Sequence, residues 1–421
     1  MGLEFEGQVY RWAEAPLKGR TDITLLNTDL RDGSQASGIE APKESDKIQM
    51  LKYMDSIGIH YADIAMPVAK GKHLQEAIAV AKAKRELGLS INLVCLARAL
   101  PGDVHRAIEL RDQSQTELEV IIFKGSSPLR RGVEGWATKE DIVDPMVRAI
   151  RIAIENGLKV TAATEDTTRT EREVIKSVFC ESISAGATRV CIADTVGFSD
   201  PWSTAEIVSW IKNEVIGERQ IGLDWHGHND VDMTTANALI ALGAGADRVH
   251  VTSLGIGERA GNTPMESMIE NLRQHGINNY KYPLIMEYAS YASKVFGRII
   301  PPDKPIVGDL VHKTPTGIHG AGIAKAIEKG RPDLAGIIYS AVDPSIYGRH
   351  PELSIGPLSG NHNAIANLER LNIEVTQQHI QRILVLAQML GRELSDEEIS
   401  SAALMDEKDF MSYENNGFSA Q

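Results

Sequence analysis

The stretch Leu223-Asp224-Trp225-His226-Gly227-His228-Asn229-Asp230 begins apolar and ends polar, with two histidines two residues apart. In extended backbone alternate side chains share a face, so His226 and His228 would project side by side from the end of a β-strand. Paired imidazoles one strand step apart suit a divalent metal when other elements supply further ligands. Alone the pair says little; its meaning depends on what ends beside it.

Working outward, the same shape recurs. Short apolar runs stand at Ile23–Leu26, Tyr61–Met66, Ile91–Leu96, Leu118–Phe123, Leu158–Ala163, Arg189–Ala193, Ile221–Trp225 and Arg248–Leu254. Between them lie stretches with apolar residues at i, i+3 and i+4, such as Ser45–Ile57, Leu74–Leu87, Val143–Ile154, Glu171–Ala185, Trp202–Val215 and Thr234–Leu242. Glycine often closes them (Gly58, Gly88, Gly157, Gly186, Gly243), as at helix C-termini. Strand–helix units repeated over about 250 residues predict an α/β fold, a parallel (β/α)8 TIM barrel, with a doubly wound open sheet as the alternative.

In such a barrel the active site gathers at the strand C-terminal ends. Here those ends run into Arg31-Asp32-Gly33-Ser34-Gln35, Arg98, Lys124 through Arg131, Thr164-Glu165-Asp166, Asp194-Thr195, the His226/His228 pair, and Gly255 through Asn262. Polar and glycine-rich residues after one strand after another predict a single site on one rim. Beyond about Glu287 the pattern changes. Pro301, Pro302 and Pro305 suit a linker, and helical patterns follow at Ala364–Leu371, at Thr376–Leu390 and from Asp396. We expect a catalytic barrel over 21–287, a linker and lid subdomain over 288–345, and a smaller, mostly helical C-terminal subdomain over 346–421, with the last dozen residues frayed.

Lys and Arg total 44 against 57 Asp and Glu, a formal charge of −13, which argues against nucleic-acid or anionic-membrane surfaces. Cys95, Cys180 and Cys191 have no CxxC spacing, so neither a disulfide framework nor a thiolate zinc site is expected. Cys95 and Cys191 fall in strands and read as core residues. No apolar run reaches bilayer-spanning length, and Met1 to Arg20 lacks an apolar signal-peptide core. The expectation is a cytoplasmic enzyme.

Three motifs, Leu30-Arg31-Asp32-Gly33-Ser34-Gln35, His226-Gly227-His228-Asn229-Asp230 and Gly257-Glu258-Arg259-Ala260-Gly261-Asn262, resemble the signatures of the DRE-TIM metallolyases, in the branch of 2-isopropylmalate and homocitrate synthases. The resemblance runs from about Thr21 to Leu371. It implies an acyltransferase that condenses acetyl-CoA with a 2-oxo acid and then hydrolyses the thioester, giving a 2-substituted malate-type product. It implies Asp32, His226 and His228 as ligands of a divalent metal (Zn, Mn, Mg or Co), with Asn262 on or beside it. Arg31 would polarise the ketone, Thr195 would bind the substrate carboxylate, and Gln35 and Arg98 would face the substrate from the rim. Glu165, with His319 and Tyr339 from the C-terminal segment, would deprotonate acetyl-CoA. In that family this segment reaches the site of a second subunit, implying a homodimer.

The stretch Ser126-Ser127-Pro128-Leu129-Arg130 resembles that of some homocitrate synthases, in which the arginine meets a distal carboxylate, so a second anionic group on the substrate, carboxylate or phosphonate, is expected at Arg130. The alternatives are a 2-isopropylmalate or citramalate synthase taking an apolar 2-oxo acid, and a retro-Claisen or aldol lyase of the 3-hydroxy-3-methylglutaryl-CoA lyase type. The lyases carry a cysteine in the loop that here reads Gly255 to Asn262 without one, which favours condensation. The chain ends near where the family's linker region ends, and leucine feedback is not expected.

Overall fold

A computed structural model describes residues 16–67, 72–406 and 408–410; the expected fraying of the last dozen residues lies outside these. Eight parallel strands close a barrel in sequence order. They are β1 (Thr24–Asn27), β2 (Tyr61–Ala65), β3 (Asn92–Arg98), β4 (Leu118–Gly125), β5 (Lys159–Glu165), β6 (Arg189–Asp194), β7 (Gly222–Gly227) and β8 (Arg248–Val251). Closure is by β1 against β8, with Thr24 opposite Arg248 and Asn27 opposite Val251. The TIM-barrel expectation holds, and the open sheet is excluded.

The connecting helices include α1 (Glu44–Ile57), α2 (Lys72–Glu86), α3 (Pro101–Ser114), α4 (Pro128–Glu134), α5 (Glu140–Glu155), α6 (Arg172–Ser184), α7 (Pro201–Trp210), α8 (Thr234–Ala244), α9 (Met265–Gln274) and α10 (Pro283–Phe296). The α5 helix buries Ile142, Met146, Ala149, Ile150 and Ala153, the i, i+3, i+4 stripe that drives it onto the sheet. Gly58, Gly88, Gly157 and Gly186 take the left-handed backbone that ends a helix; Gly243 stays inside α8, and Gly245 closes it instead.

Inward positions of the strands alternate, so the barrel interior is layered. Near the strand starts lies a charged layer. Arg248, fully buried, donates to Glu119 (2.5 Å) and to Asp224 (2.8 Å) and packs over the Tyr61 ring. Arg189 donates to the other Asp224 oxygen at 2.8 Å and to Asp247. Two residues further along β4, β5 and β6 come Ile121, Ala163 and Cys191, which form an apolar layer with Leu26 and Val94. Cys95 and Cys191 are core residues, as read from their strands, and burial pushes both thiols well up.

Residues from 301 onward form a second compact unit. It holds a two-residue parallel pair, β9 (Lys313–Thr314) with β10 (Glu352–Leu353), and helices α11 (Gly317–Glu328), α12 (Pro332–Ile337), α13 (Asn361–Arg370), α14 (Gln377–Leu390) and α15 (Asp396–Leu404). Its core packs Leu368, Ile380, Ile383, Leu386 and Ile399. Ser395 caps α15 in a reciprocal box with Glu398. Among the described residues no helix is long and apolar enough to cross a membrane.

Candidate active site

The C-terminal mouth of the barrel opens into a cleft of about 430 Å³. Its lining brings together residues from most of the strands: Arg31, Asp32 and Gln35 after β1, Arg130 after β4, Glu165 on β5, Thr195 after β6, and His226 and His228 at the end of β7. These rim residues line one cleft.

At its floor, donor atoms of Asp32, His226 and His228 all lie within 4.8 Å of one another. The two Nε2 atoms are 3.3 Å apart, and Asp32 Oδ2 lies 3.4 Å from the first and 3.9 Å from the second. Burial holds both imidazoles below their ordinary range, so they are neutral, lone-pair-bearing groups at pH 7. Burial would raise the Asp32 carboxyl, but Arg31, His226 and His228 outweigh it and bring the value down to about 2. Asn262 donates from Nδ2 to Asp32 Oδ2 at 3.0 Å, leaving its own buried Oδ1 without a hydrogen-bond partner. Two neutral imidazoles and a carboxylate converging this closely, beside an orphaned amide oxygen, are a donor set that fits a divalent cation. Gly257 makes room for it: a Cβ there would sit 1.7 Å from Asn262 Oδ1.

Arg31 flanks this group with Nη1 3.6 Å from Asp32 and is fixed by donating from Nε to Asp63 at 2.7 Å. Asp63, wholly buried on β2, is pushed up by burial and drawn back by Arg31. Thr195 Oγ1 accepts the Asp166 backbone N–H at 2.8 Å, which leaves the hydroxyl proton free to donate. Glu165, raised by burial and lowered by Arg130, lies 3.2 Å from the Arg130 Nε. The Arg130 Nη1 also meets Glu134 at 2.9 Å. Its side chain lies across Gly125, where a Cβ would fall 2.4 Å from the arginine Cγ.

Other predicted residues lie elsewhere. Arg98, at the end of β3, is half exposed, clasps Asp103 in the first turn of α3 (2.7 Å) and does not line the cleft. Arg131 pairs with Glu171. His319 and Tyr339 belong to the second unit, where their rings stack with centroids 4.1 Å apart. Sequence reasoning missed Asp63 and His250. Each is a polar residue inside an apolar strand run, a signal that was present but ascribed to neither. His250 lines the cleft and meets Asp224 at 3.2 Å. Cys191, Asp224 and His250 form a second close group, but Asp224 is already neutralised by Arg189 and Arg248, so this group does not fit a cation. Left-handed backbone at the non-glycine residues Asp166, Leu254 and Arg259 clusters on the same rim, as strain does at functional sites.

Comparison with known proteins agrees with this geometry. The model of the HMGL-like family matches residues 22–289. A 2-isopropylmalate synthase 2 of Caldanaerobacter subterraneus subsp. tengcongensis is 32% identical, the match covering 90% of this chain and 94% of the relative. The homocitrate synthase AksA of Methanopyrus kandleri is 30% identical, with 88% of each chain covered. Among solved structures, hydroxymethylglutaryl-CoA lyase from Pseudomonas aeruginosa superposes with a TM-score of 0.55 at 19% identity, over 67% of this chain and 94% of the lyase, a likeness of fold. With the family model matching most of the barrel and these relatives spanning most of the chain, the protein belongs to the HMGL-like (DRE-TIM) family.

Proposed function

We propose that the protein condenses the acetyl group of acetyl-CoA with a 2-oxo acid and hydrolyses the thioester formed, releasing coenzyme A and a 2-substituted malate-type acid. The observation that carries this reading is the convergence of Asp32, His226 and His228 beside Arg31 on the floor of a cleft that also holds Glu165 and Thr195. The names of the relatives, 2-isopropylmalate and homocitrate synthases, support it. A divalent ion held by Asp32, His226 and His228, with Asn262 beside it, would polarise the ketone of the 2-oxo acid as a Lewis acid.

The chain's own residues do the rest. The Arg31 guanidinium, fixed by Asp63, stabilises negative charge as it grows on the ketone oxygen. The free hydroxyl proton of Thr195 orients the substrate carboxylate. Glu165, kept from full acidity by burial, takes a proton from the thioester methyl. The resulting carbanion bonds to the keto carbon and the alkoxide is protonated; water then adds to the thioester carbonyl and the coenzyme A thiol leaves. His319 and Tyr339, stacked as a pair, would join the Glu165 relay in the site of a second subunit.

Arg130, now paired with Glu134 and Glu165, would read a second anionic group, carboxylate or phosphonate, in exchange for Glu134. The walls formed by Leu96, Ile121, Phe123 and Met66 suit an aliphatic body between the two anions. Those same walls favour the second reading, an apolar 2-oxo acid of the isopropylmalate or citramalate type. Thiol release from acetyl-CoA, followed across a panel of 2-oxo acids with and without chelator, tests both. Release only with 2-oxoisovalerate would reject the anion reading at Arg130, and no release with any acid would reject condensation.

A further inference from the structure

The helix that carries Arg130 is held to the barrel without burying a residue. In α4, Leu129 and Val133 are 64% and 83% exposed, and no apolar face fastens it to the sheet as Ile142 and Met146 fasten α5. Its near end is fixed where β4 stops. The Ser127 hydroxyl accepts the Arg130 backbone N–H at 3.3 Å, and Ser126 Oγ lies 2.8 Å from Thr170 Oγ1. At the far end Gly135 takes left-handed backbone, and the Trp136 N–H donates to the Arg131 carbonyl at 3.0 Å. That turn brings the Trp136 ring back to β4, where the Lys124 ammonium lies 3.3 Å from its centroid. Phe123 lines the cleft, so Lys124, its neighbour on the strand, projects to the opposite face. Between these ends the ties are charged, Arg131 to Glu171 and Arg130 to Glu165. The segment is thus a loop closed on β4 at both ends, with Arg130 six residues from either partner of the clasp.

We propose that Trp136 is a positioning residue for substrate selection: clasped on Lys124, its ring holds α4 closed on β4 and so sets where Arg130 stands in the cleft. This rests on the 2-oxo acid reading above, and it adds a residue from outside the cleft's own lining. Of the aromatic faces indole attracts a cation best, and each partner of the pair needs the other. A helix of seven residues does not hold its place by itself, and half-exposed ion pairs such as Arg131 with Glu171 contribute little. The clasp is then the contact whose loss frees the segment. Arg130 moves with α4, because its side chain leaves the first turn and runs across Gly125, where a Cβ would leave it no room.

Amide hydrogen exchange and turnover of the full chain test the clasp in Trp136→Ala, Lys124→Met and Trp136→Phe. In the first two, exchange over residues 126–136 should quicken about fivefold while peptides from the strands and from α5 keep their rates. KM for the 2-oxo acid that the wild type turns over should rise by about the same factor, with kcat and KM for acetyl-CoA within about twofold of wild type. Trp136→Phe keeps an aromatic face for Lys124 and should restore most of both. Combining Trp136→Ala with Lys124→Met should be no worse than either alone, because both remove one contact. Wild-type exchange in Trp136→Ala would overturn the clasp, and so would losses that add in the double variant. Faster exchange with an unmoved KM, or a lowered urea midpoint beside the raised KM, would overturn the role in selection. The two proposals fail separately. Clasp-dependent exchange without turnover on any 2-oxo acid keeps the clasp and rejects the condensation. Turnover with exchange and KM unmoved in the variants does the reverse.

Discussion

One barrel holds two buried charged clusters, and they are built on opposite terms. Near the strand starts, Arg248 and Arg189 stand among Glu119, Asp224 and Asp247, and each carboxylate meets a guanidinium. The arginines hold Asp224 far below the usual carboxylate range against the burial that would raise it. At the mouth, Asp32 and two neutral imidazoles face each other, with Arg31 turned mainly toward Asp63. The first cluster contains its own cations; the second is a set of donors suited to one that comes from outside. Buried charge therefore does not mark function by itself. What marks it is lone pairs of several side chains converging on one point without enough cations of the protein's own to meet them.

The largest effect should come from the closed cluster. Arg248→Ala leaves Glu119 and Asp224 buried beside a void, and loss of one member of such a network costs about 3–5 kcal/mol. Urea denaturation should show that loss, with soluble yield falling too. A shift under about 1 kcal/mol would mean that water enters the layer and that the contrast with the mouth is false. His226→Ala breaks the comparison from the other side. Turnover should fall about a thousandfold, in keeping with loss of a catalytic ion's charge stabilisation. Stability without metal should hardly move, because a desolvated imidazole is removed and no ion pair is lost. Metal content by elemental analysis, read beside a urea curve, separates the two effects.

Tyr339→Phe should follow, at about a hundredfold in turnover, the scale of a general acid–base contribution. Removing the hydroxyl keeps the ring that stacks on His319, so metal content and stability should match wild type. Unchanged turnover would take Tyr339 out of the proposed relay and leave the mouth cluster to do the chemistry without it.

Much of this architecture was readable in advance, for a physical reason. Apolar runs mark buried strands, and each predicted run coincides with an observed one. The errors are instructive. Runs drawn by apolarity stop short at the C-terminal end: β3 continues to Arg98, β5 to Glu165, β6 to Asp194 and β7 to Gly227, because these closing residues are polar or glycine and carry no apolar signal. At β8 the error reverses, since Leu254 turns into left-handed backbone beyond the strand. The charged lower layer was hidden for another reason. Glu119, Arg189, Asp224 and Arg248 stand at inward strand positions, but each pairs with a residue on a different strand, and Arg248 meets Glu119 from 129 residues away. No local pattern shows such a pairing. The helix over Pro101–Ser114 was also unnamed, although Pro101 opens it at a first-turn position that suits proline.

Asp29 supplies the finest test, since it is a third kind of buried acid. It has neither the arginines of the lower layer nor the ligand partners of the mouth. It accepts hydrogen bonds from the Tyr288 hydroxyl, from Asn27 Nδ2 at 3.0 Å and from the Ser253 backbone N–H at 2.8 Å. Burial outweighs these donors and pushes the carboxyl up to about 6. The sign follows from linkage. An unfolded aspartate loses its proton near pH 4, so between there and about pH 6 the folded state binds more protons and stability declines as pH rises. Each unit of separation is worth about 1.4 kcal/mol, and about one unit lies between pH 5 and the folded value. Wild type should therefore lose about 1.4 kcal/mol relative to Asp29→Asn on going from pH 5 to pH 7.5, as read from paired urea curves. The asparagine variant carries no such titration, and the difference between the two curves cancels every other group. A difference that stays flat across this range would show the carboxylate ionised throughout. Neutral donors would then hold a buried charge as well as arginine does, and the lower layer's arginines would be there to bind strands together rather than to neutralise acid.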